Sequence, residues 1–218
     1  MDFNIYKAFI FDFDYTLCDA TEGIVQSYNG AFREFGYPEL EKNKIRPTVG
    51  LTVPDSFMIL TGSEDRELAQ KFYKSFCAIA DKLMNSNTVF LPGALELLIK
   101  LYNLNKPIAV VTTKLSYRIT DFFNLKNHPE LIDFVIGYDE VKKQKPDPEG
   151  IILACEKFKA KYNINKANIA YIGDNQVDAR AAEAAEIDFI GVTSGTTTRE
   201  ELAVYNNIAI LNGVFELV

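Results

Sequence analysis

Two aspartates one residue apart, Asp12 and Asp14, end the apolar run in "FIFDFDYTLCD", residues 9 to 19. Side chains on an extended strand alternate with period two, so both carboxylates point one way and Phe13 the other. Carboxylates held this close repel, and the pair is stabilised by a divalent cation, by a shared proton, or by placing the two groups in different environments. The same pair also suits an ordinary turn that ends a strand. Two more apolar runs end on polar residues. In "IAVVTTK", 108 to 114, Thr112, Thr113 and Lys114 follow the run; hydroxyls and backbone N–H groups there can hold a phosphate oxygen, although threonine is also a good strand residue. In "AYIGDNQVDARAA", 170 to 182, Gly173 permits a tight turn before Asp174, and Asp178 opens an alanine-rich helix. Asp178 would also serve there as a first-turn charge on the helix dipole. In "KKQKPDPEG", 142 to 150, Asp147 reads as an N-cap and Pro148 as the first helical residue, which would hold Lys145 in place within an otherwise solvated lysine run.

The elements that must carry these residues follow from the hydrophobic pattern. Continuous apolar runs at 8–11, 107–111, 133–137, 168–173, 188–192 and 207–211 suit strands buried on both faces. Between them, Ala94, Leu97, Leu98 and Leu101 form one helical stripe, and Ile151, Cys155, Phe158 and Tyr162 another. Strand and helix in alternation imply a parallel sheet whose ligand site lies at the carboxyl ends of the strands. From 17 to 90 the rhythm breaks: a stripe of Leu68, Phe72, Phe76, Ile79 and Leu83 signals helix and no buried strand is evident. The expected fold is therefore α/β, a Rossmann-like parallel sheet flanked by helices over 1–16 and 91–218, with an inserted α-helical domain over 17–90. Chance surface decoration would not place Asp, Thr, Lys and Asp each after a buried strand at one sheet edge. Carboxylates, a hydroxyl and a lysine are the inventory for a hard divalent cation and a phosphoryl group, with a carboxylate available as nucleophile.

Composition narrows the partners. With 218 residues, 48% of them hydrophobic, the chain can bury a sizeable core. Its net charge of −7 argues against a nucleic-acid or anionic-membrane surface, both of which need clustered Lys and Arg. A small-molecule partner is expected, with the protein a monomer or homodimer. Cys18, Cys77 and Cys155 are widely spaced and odd in number, which suggests neither a disulfide framework nor a zinc site but a reducing cytoplasm. No signal peptide pattern or membrane-length apolar run is evident. The single histidine, His128, excludes clustered-histidine metal sites and reads as a turn residue before proline.

In order along the whole chain, "DFDYT", Thr112, Lys145 in "KPDPEG" and "GDNQVD" resemble the four motifs of the haloacid dehalogenase superfamily. Within it, "GVTSGTTTREEL" at 191–202 and the helical insertion after the first motif are similar to the phosphoglycolate phosphatase-like branch, in which the insertion is the cap. The resemblance implies that Asp12 is the nucleophile that forms an aspartyl-phosphate, and that Asp14 is general acid and then general base. It implies magnesium held by Asp12, the Asp14 carbonyl and Asp174, with Asp178 supporting that shell or orienting Lys145. Lys145 and Thr112, with Thr113 beside them, would bind phosphoryl oxygens of a small phosphorylated metabolite, phosphoglycolate first, with pyrophosphate and sugar phosphates as alternatives. Arg46 and Thr48 in "RPTVGLTVPDSF" resemble the cap loop that reaches toward substrate, or else serve an ordinary loop. Asp19, with Glu22 three residues on, reads as a helix N-cap outside the site. Many relatives carry glycine where Tyr15 stands and asparagine where Thr113 stands. The rival readings are a β-phosphoglucomutase-like phosphotransferase and, from another class, a phosphorylatable receiver or a binding relative. A true dehalogenase would not call for Asp14 or Asp174.

Overall fold

The computed structural model describes residues 3 to 217. The chain runs β1 (Ala8–Phe11), β2 (Cys18–Asp19), then helices α1 (Thr21–Glu34), α2 (Lys42–Ile45), α3 (Val53–Thr61) and α4 (Arg66–Leu83), and returns through β3 (Val89–Phe90). It continues as α5 (Ala94–Asn103), β4 (Ile108–Val111), α6 (Ser116–Leu125), β5 (Phe134–Ile136), α7 (Glu149–Tyr162), β6 (Ile169–Gly173), α8 (Gln176–Ala185), β7 (Asp188–Val192), α9 (Arg199–Leu202) and β8 (Ala209–Leu211). Two compact units result, one made of the residues up to Cys18 and from Phe90 onward, the other of Asp19–Val89. Cys18 and Phe90 fall to the first unit because both pack in the core, Phe90 edge-on to the Phe122 ring at 5.0 Å.

The first unit is a six-stranded sheet in the order β5-β4-β1-β6-β7-β8, with every pairing parallel. Period-two alternation sorts each strand between two cores. Phe9, Phe11, Ile108, Val110, Ala170 and Ile172 pack under α5 and α6, where Leu97, Leu98, Ile119 and Phe122 meet them. Ala8, Ile10, Ala109, Val111, Ile169 and Tyr171 face α7 and α8, where Ile151, Phe158 and the alanines of α8 cover them. Burial on both faces explains the unbroken apolar runs, and removing one such aromatic ring from water contributes about 2–3 kcal/mol. The stripe on α7 is Ile151, Ala154 and Phe158, while Cys155 is only half-buried and Tyr162 is exposed. Alanine carries the contact there because it lets α7 approach the sheet closely.

The second unit is helical. Tyr28, Phe32, Phe57, Phe72 and Phe76 interlock at its centre, with Phe57 and Phe72 ring centroids 4.5 Å apart. Thr52 caps α3 through the Asp55 N–H, and Asp65 caps α4 through the Leu68 N–H. Asp19 lies one residue before the N-cap of α1, which is Ala20, and accepts the Thr21 N–H at 2.8 Å. The Asp147 carboxylate accepts the Glu149 N–H at 3.1 Å, so Pro148 is the cap and α7 begins one residue later than the sequence suggests.

Among the described residues no helix is long and apolar enough to cross a membrane.

Candidate active site

In the strand order the chain moves outward from β1 through β4 to β5, then crosses back to β6 on the other side of β1. Such a reversal opens a crevice at the carboxyl ends of the strands. Asp12 follows β1, Thr112 follows β4, Asp174 follows β6, and Lys145 comes from the segment between β5 and α7.

The Asp12 N–H continues the ladder by donating to Ile172 O at 2.8 Å, and the Thr112 N–H does the same with Ile136 O at 3.0 Å. Both side chains therefore leave the sheet from fixed positions. After Asp12 the chain tightens: the N–H groups of Leu17 and Cys18 both donate to Phe13 O, and the Tyr15 N–H donates to Cys18 O. Tyr15 takes φ 57, the left-handed region that a glycine would enter without cost and a tyrosine enters at about 1–2 kcal/mol. Its ring is buried and its carbonyl accepts the Ser194 hydroxyl, so packing and that bond hold the turn.

Asp12, Asp174 and Asp178 each present an oxygen within 4.8 Å of the others, and all three are buried. Lys145 Nζ stands 2.6 Å from both Asp12 Oδ1 and Asp178 Oδ1. It also donates toward Val111 O and the Tyr171 hydroxyl, each at 3.3 Å. The Tyr171 hydroxyl in turn donates to Asp178 Oδ1 at 2.7 Å. Asp178 spends its other oxygen on the Asn175 N–H in a capping box that opens α8. Both oxygens of Asp178 are thus engaged, which fits it for holding Lys145 in place. A Cβ on Gly173 would lie 2.5 Å from that of Asp178, so the glycine serves a close approach between strand and helix. Its φ is not left-handed, and the turn itself does not demand it.

Asp174 accepts the Thr16 hydroxyl at 3.2 Å. A Cβ on Gly195 would lie 1.8 Å from Asp174 Oδ2, so the loop after β7 presses its backbone against this carboxylate. Asp14 pairs through Oδ2 with Lys114 Nζ at 2.6 Å, while its Oδ1 is buried without a partner among the described residues. Thr112 accepts the Lys114 N–H at 3.2 Å, which leaves its hydroxyl proton available to an anionic oxygen. Thr113 is half-buried beside it.

Fully ionised, four buried carboxylates against two buried ammonium groups leave two negative charges in excess. Burial, and then Asp178 and Asp12, hold the Asp174 carboxyl well above the usual range. Burial raises Asp12 to about 7 against the opposing pull of Lys145. An excess of two charges on oxygen donors suits one hard divalent cation, whose binding would displace these protons. In the helical unit, Thr48 is buried and its hydroxyl donates to Ile45 O at 2.8 Å, while Arg46 is half-buried. Three side chains took no role from the sequence. Thr16 stands in the sequence only as the last residue of "DFDYT", Tyr171 as part of an apolar run, and Lys114 as the end of another.

The family model for haloacid dehalogenase-like hydrolases matches residues 9–192. The chain belongs to that family. A crystal structure of a haloacid dehalogenase-like hydrolase from Bacteroides fragilis superposes with a TM-score of 0.92 at 36% identity, covering 98% of this chain and all of that one. Among curated proteins, this hydrolase is 29% identical to a phosphoglycolate phosphatase from Rhodobacter capsulatus, with 96% of each chain covered. It is 27% identical to pyrophosphatase PpaX from Listeria monocytogenes, over 96% of this chain and 93% of that one.

Proposed function

We propose that this hydrolase is a magnesium-dependent phosphatase of small phosphorylated metabolites that works through an aspartyl-phosphate on Asp12. The observation that supports this best is Asp12 itself, a buried carboxylate at the strand end with Lys145 2.6 Å from one oxygen, beside a second carboxylate, Asp14, that keeps an unpartnered oxygen. Asp12 attacks phosphorus while Lys145 and Thr112, with Thr113 at their side, bind the phosphoryl oxygens. Asp14 gives a proton to the departing oxygen, then takes one from the water that cleaves the intermediate. Magnesium, held by Asp12, Asp174 and the Asp14 carbonyl, would supply charge neutralisation at the phosphoryl group. Asp178 orients Lys145. Arg46 is the candidate of the helical unit for substrate choice; the bond from the Thr48 hydroxyl to Ile45 gives Thr48 a structural task in its own turn. The names of the relatives put phosphoglycolate first and pyrophosphate second among substrates. The net charge of −7 supports a small molecule rather than a polyanion as the partner.

A magnesium assay over phosphoglycolate, pyrophosphate, glucose phosphates and other small phosphoesters tests the reading. Release of inorganic phosphate that stops with chelator is the expected result, and activity that persists with chelator overturns it. Accumulation of a sugar bisphosphate would reassign the enzyme as a phosphotransferase.

Magnesium is also expected to raise Tm, by an amount worth about 2.7 kcal/mol at a hundred times its Kd. The effect grows with pH. Asp12 has a folded pKa near 7 against 3.8 unfolded, so its contribution to the metal-free protein is complete below pH 3.8 and is lost as pH rises through about 7. Magnesium affinity, read from thermal shifts, should accordingly increase across that window. Gly195→Ala should weaken it about tenfold or more, because the new methyl group must displace the Asp174 carboxylate.

A further inference from the structure

We infer that Lys114 is a positioning residue for Asp14: by tethering Oδ2 it assigns proton transfer to Oδ1. The inference rests on the reading of Asp14 as general acid and base.

A carboxylate has two equivalent oxygens, and the torsion that exchanges them is soft and two-fold. Here the two are made unequal. Lys114 Nζ lies 2.6 Å from Oδ2, and the two side chains are only 9% and 8% exposed. Oδ1 is buried with no partner among the described residues. An orphaned buried acceptor is destabilising, and this one sits where the proposed chemistry needs a proton carrier. The tether itself springs from a fixed point. The Lys114 N–H donates to Thr112 Oγ1 at 3.2 Å, and its carbonyl accepts the Tyr138 N–H at 2.7 Å. One strand end thus carries both the hydroxyl that would bind the phosphoryl group and the ammonium that orients the proton carrier.

An ammonium group only donates, so a proton on Oδ2 would face the N–H hydrogens of Lys114. With the proton on Oδ1, Oδ2 is the carbonyl oxygen of a neutral acid and still accepts from Lys114. After the proton leaves, Oδ2 is a carboxylate oxygen and accepts again. The tether therefore persists through both half-reactions. In the first, an Asp12 oxygen bonds to phosphorus, the bond from phosphorus to the leaving oxygen breaks, and that oxygen takes the proton from Oδ1. In the second, water bonds to phosphorus and gives a proton to Oδ1, the bond to Asp12 breaks, and both aspartates return to their starting state.

Lys114→Gln and Lys114→Arg, compared with Asp14→Asn and the double variant Asp14→Asn/Lys114→Gln, test this by rapid-quench kinetics with magnesium. One substrate is an alkyl phosphate; the other is 4-nitrophenyl phosphate, whose leaving group departs without an acid. For Lys114→Gln the burst of 4-nitrophenolate should stay near the parent rate. Turnover after the burst, and the whole reaction of the alkyl ester, should fall about 10²-fold. Phosphorylated enzyme should accumulate, Lys114→Arg should recover most of the loss, and the double variant should be no slower than Asp14→Asn. Equal slowing of burst and turnover, a double variant slower than Asp14→Asn, or unchanged kinetics would each overturn the inference. If Asp14→Asn shows a burst and then stalls while Lys114→Gln does not, only the role of Lys114 falls. If the parent enzyme forms no phosphorylated intermediate, the reading of the whole site falls first.

Discussion

Asp12→Asn is expected to reduce phosphate release by about 10⁴-fold or more in kcat, with the fold intact. The amide has nearly the shape of the carboxylate but lacks the anionic oxygen that would attack phosphorus. Two opposing effects keep the structure in place. Burial raises Asp12 to about 7, so a neutral side chain removes a desolvation cost. Against that, Lys145 keeps a hydrogen-bond acceptor at this position but loses the charge of one of its two partners at 2.6 Å, Asp178 remaining. The circular dichroism spectrum should match that of the parent, and no phosphorylated protein should be trapped on brief exposure to substrate. Full activity in this variant would remove the nucleophile from the proposal and the proposal with it.

Lys145→Met should have the largest effect on stability. Burial alone would push the Lys145 ammonium down, but Asp12 and Asp178 outweigh it and keep it protonated. Its side chain is 5% exposed, as are those of its partners to within a few per cent. Methionine fills the stem but leaves two buried carboxylates facing one another without a counter-charge. Breaking a buried charge cluster in this way costs about 3–5 kcal/mol, a fall in Tm of about 10 °C for a chain of this length. Thermal or urea denaturation with chelator present measures the loss. Added magnesium should stabilise the variant more than the parent, since the uncompensated carboxylates then have a stronger need for a cation. An unchanged Tm in chelator would show that the carboxylates take up protons in place of the lysine.

The sheet and the strand ends were legible in the sequence because strands buried on both faces leave unbroken apolar runs, and a polar residue directly after such a run marks the edge. Asp12, Thr112 and Asp174 could be found in that way. Lys145 stands out through its own loop, but the contacts that join these side chains do not. Thr16 meets Asp174 across 158 positions and Lys145 meets Asp12 across 133, and no local periodicity encodes either pairing. Tyr171 counts as one more apolar residue of its strand until the fold puts its hydroxyl beside Asp178. Lys114 was visible as a residue, but its direction depends on the turn that brings Asp14 back toward β4. The buried line on α4 is Ala69, Phe72, Phe76 and Ala80, where the larger residues suggest a stripe through Leu68, Ile79 and Leu83. Close helix packing favours alanine at positions that hydrophobicity alone ranks low.

The ribbon in which β2 pairs with β3 has a consequence for how such a chain can change over time. The helical excursion leaves and re-enters the core through two neighbouring strands, so the core meets it as a loop already closed at its base. Closing a flexible loop costs only about 0.6 kcal/mol for each doubling of its length. Helices can therefore be added to this excursion, shortened or exchanged with little cost to the sheet, while an insertion between β6 and α8 would part Asp174 from Asp178. The position of the ribbon separates a segment free to diversify from one whose two aspartates are each tied to a distant part of the chain, Asp174 to Thr16 and Asp178 to Lys145.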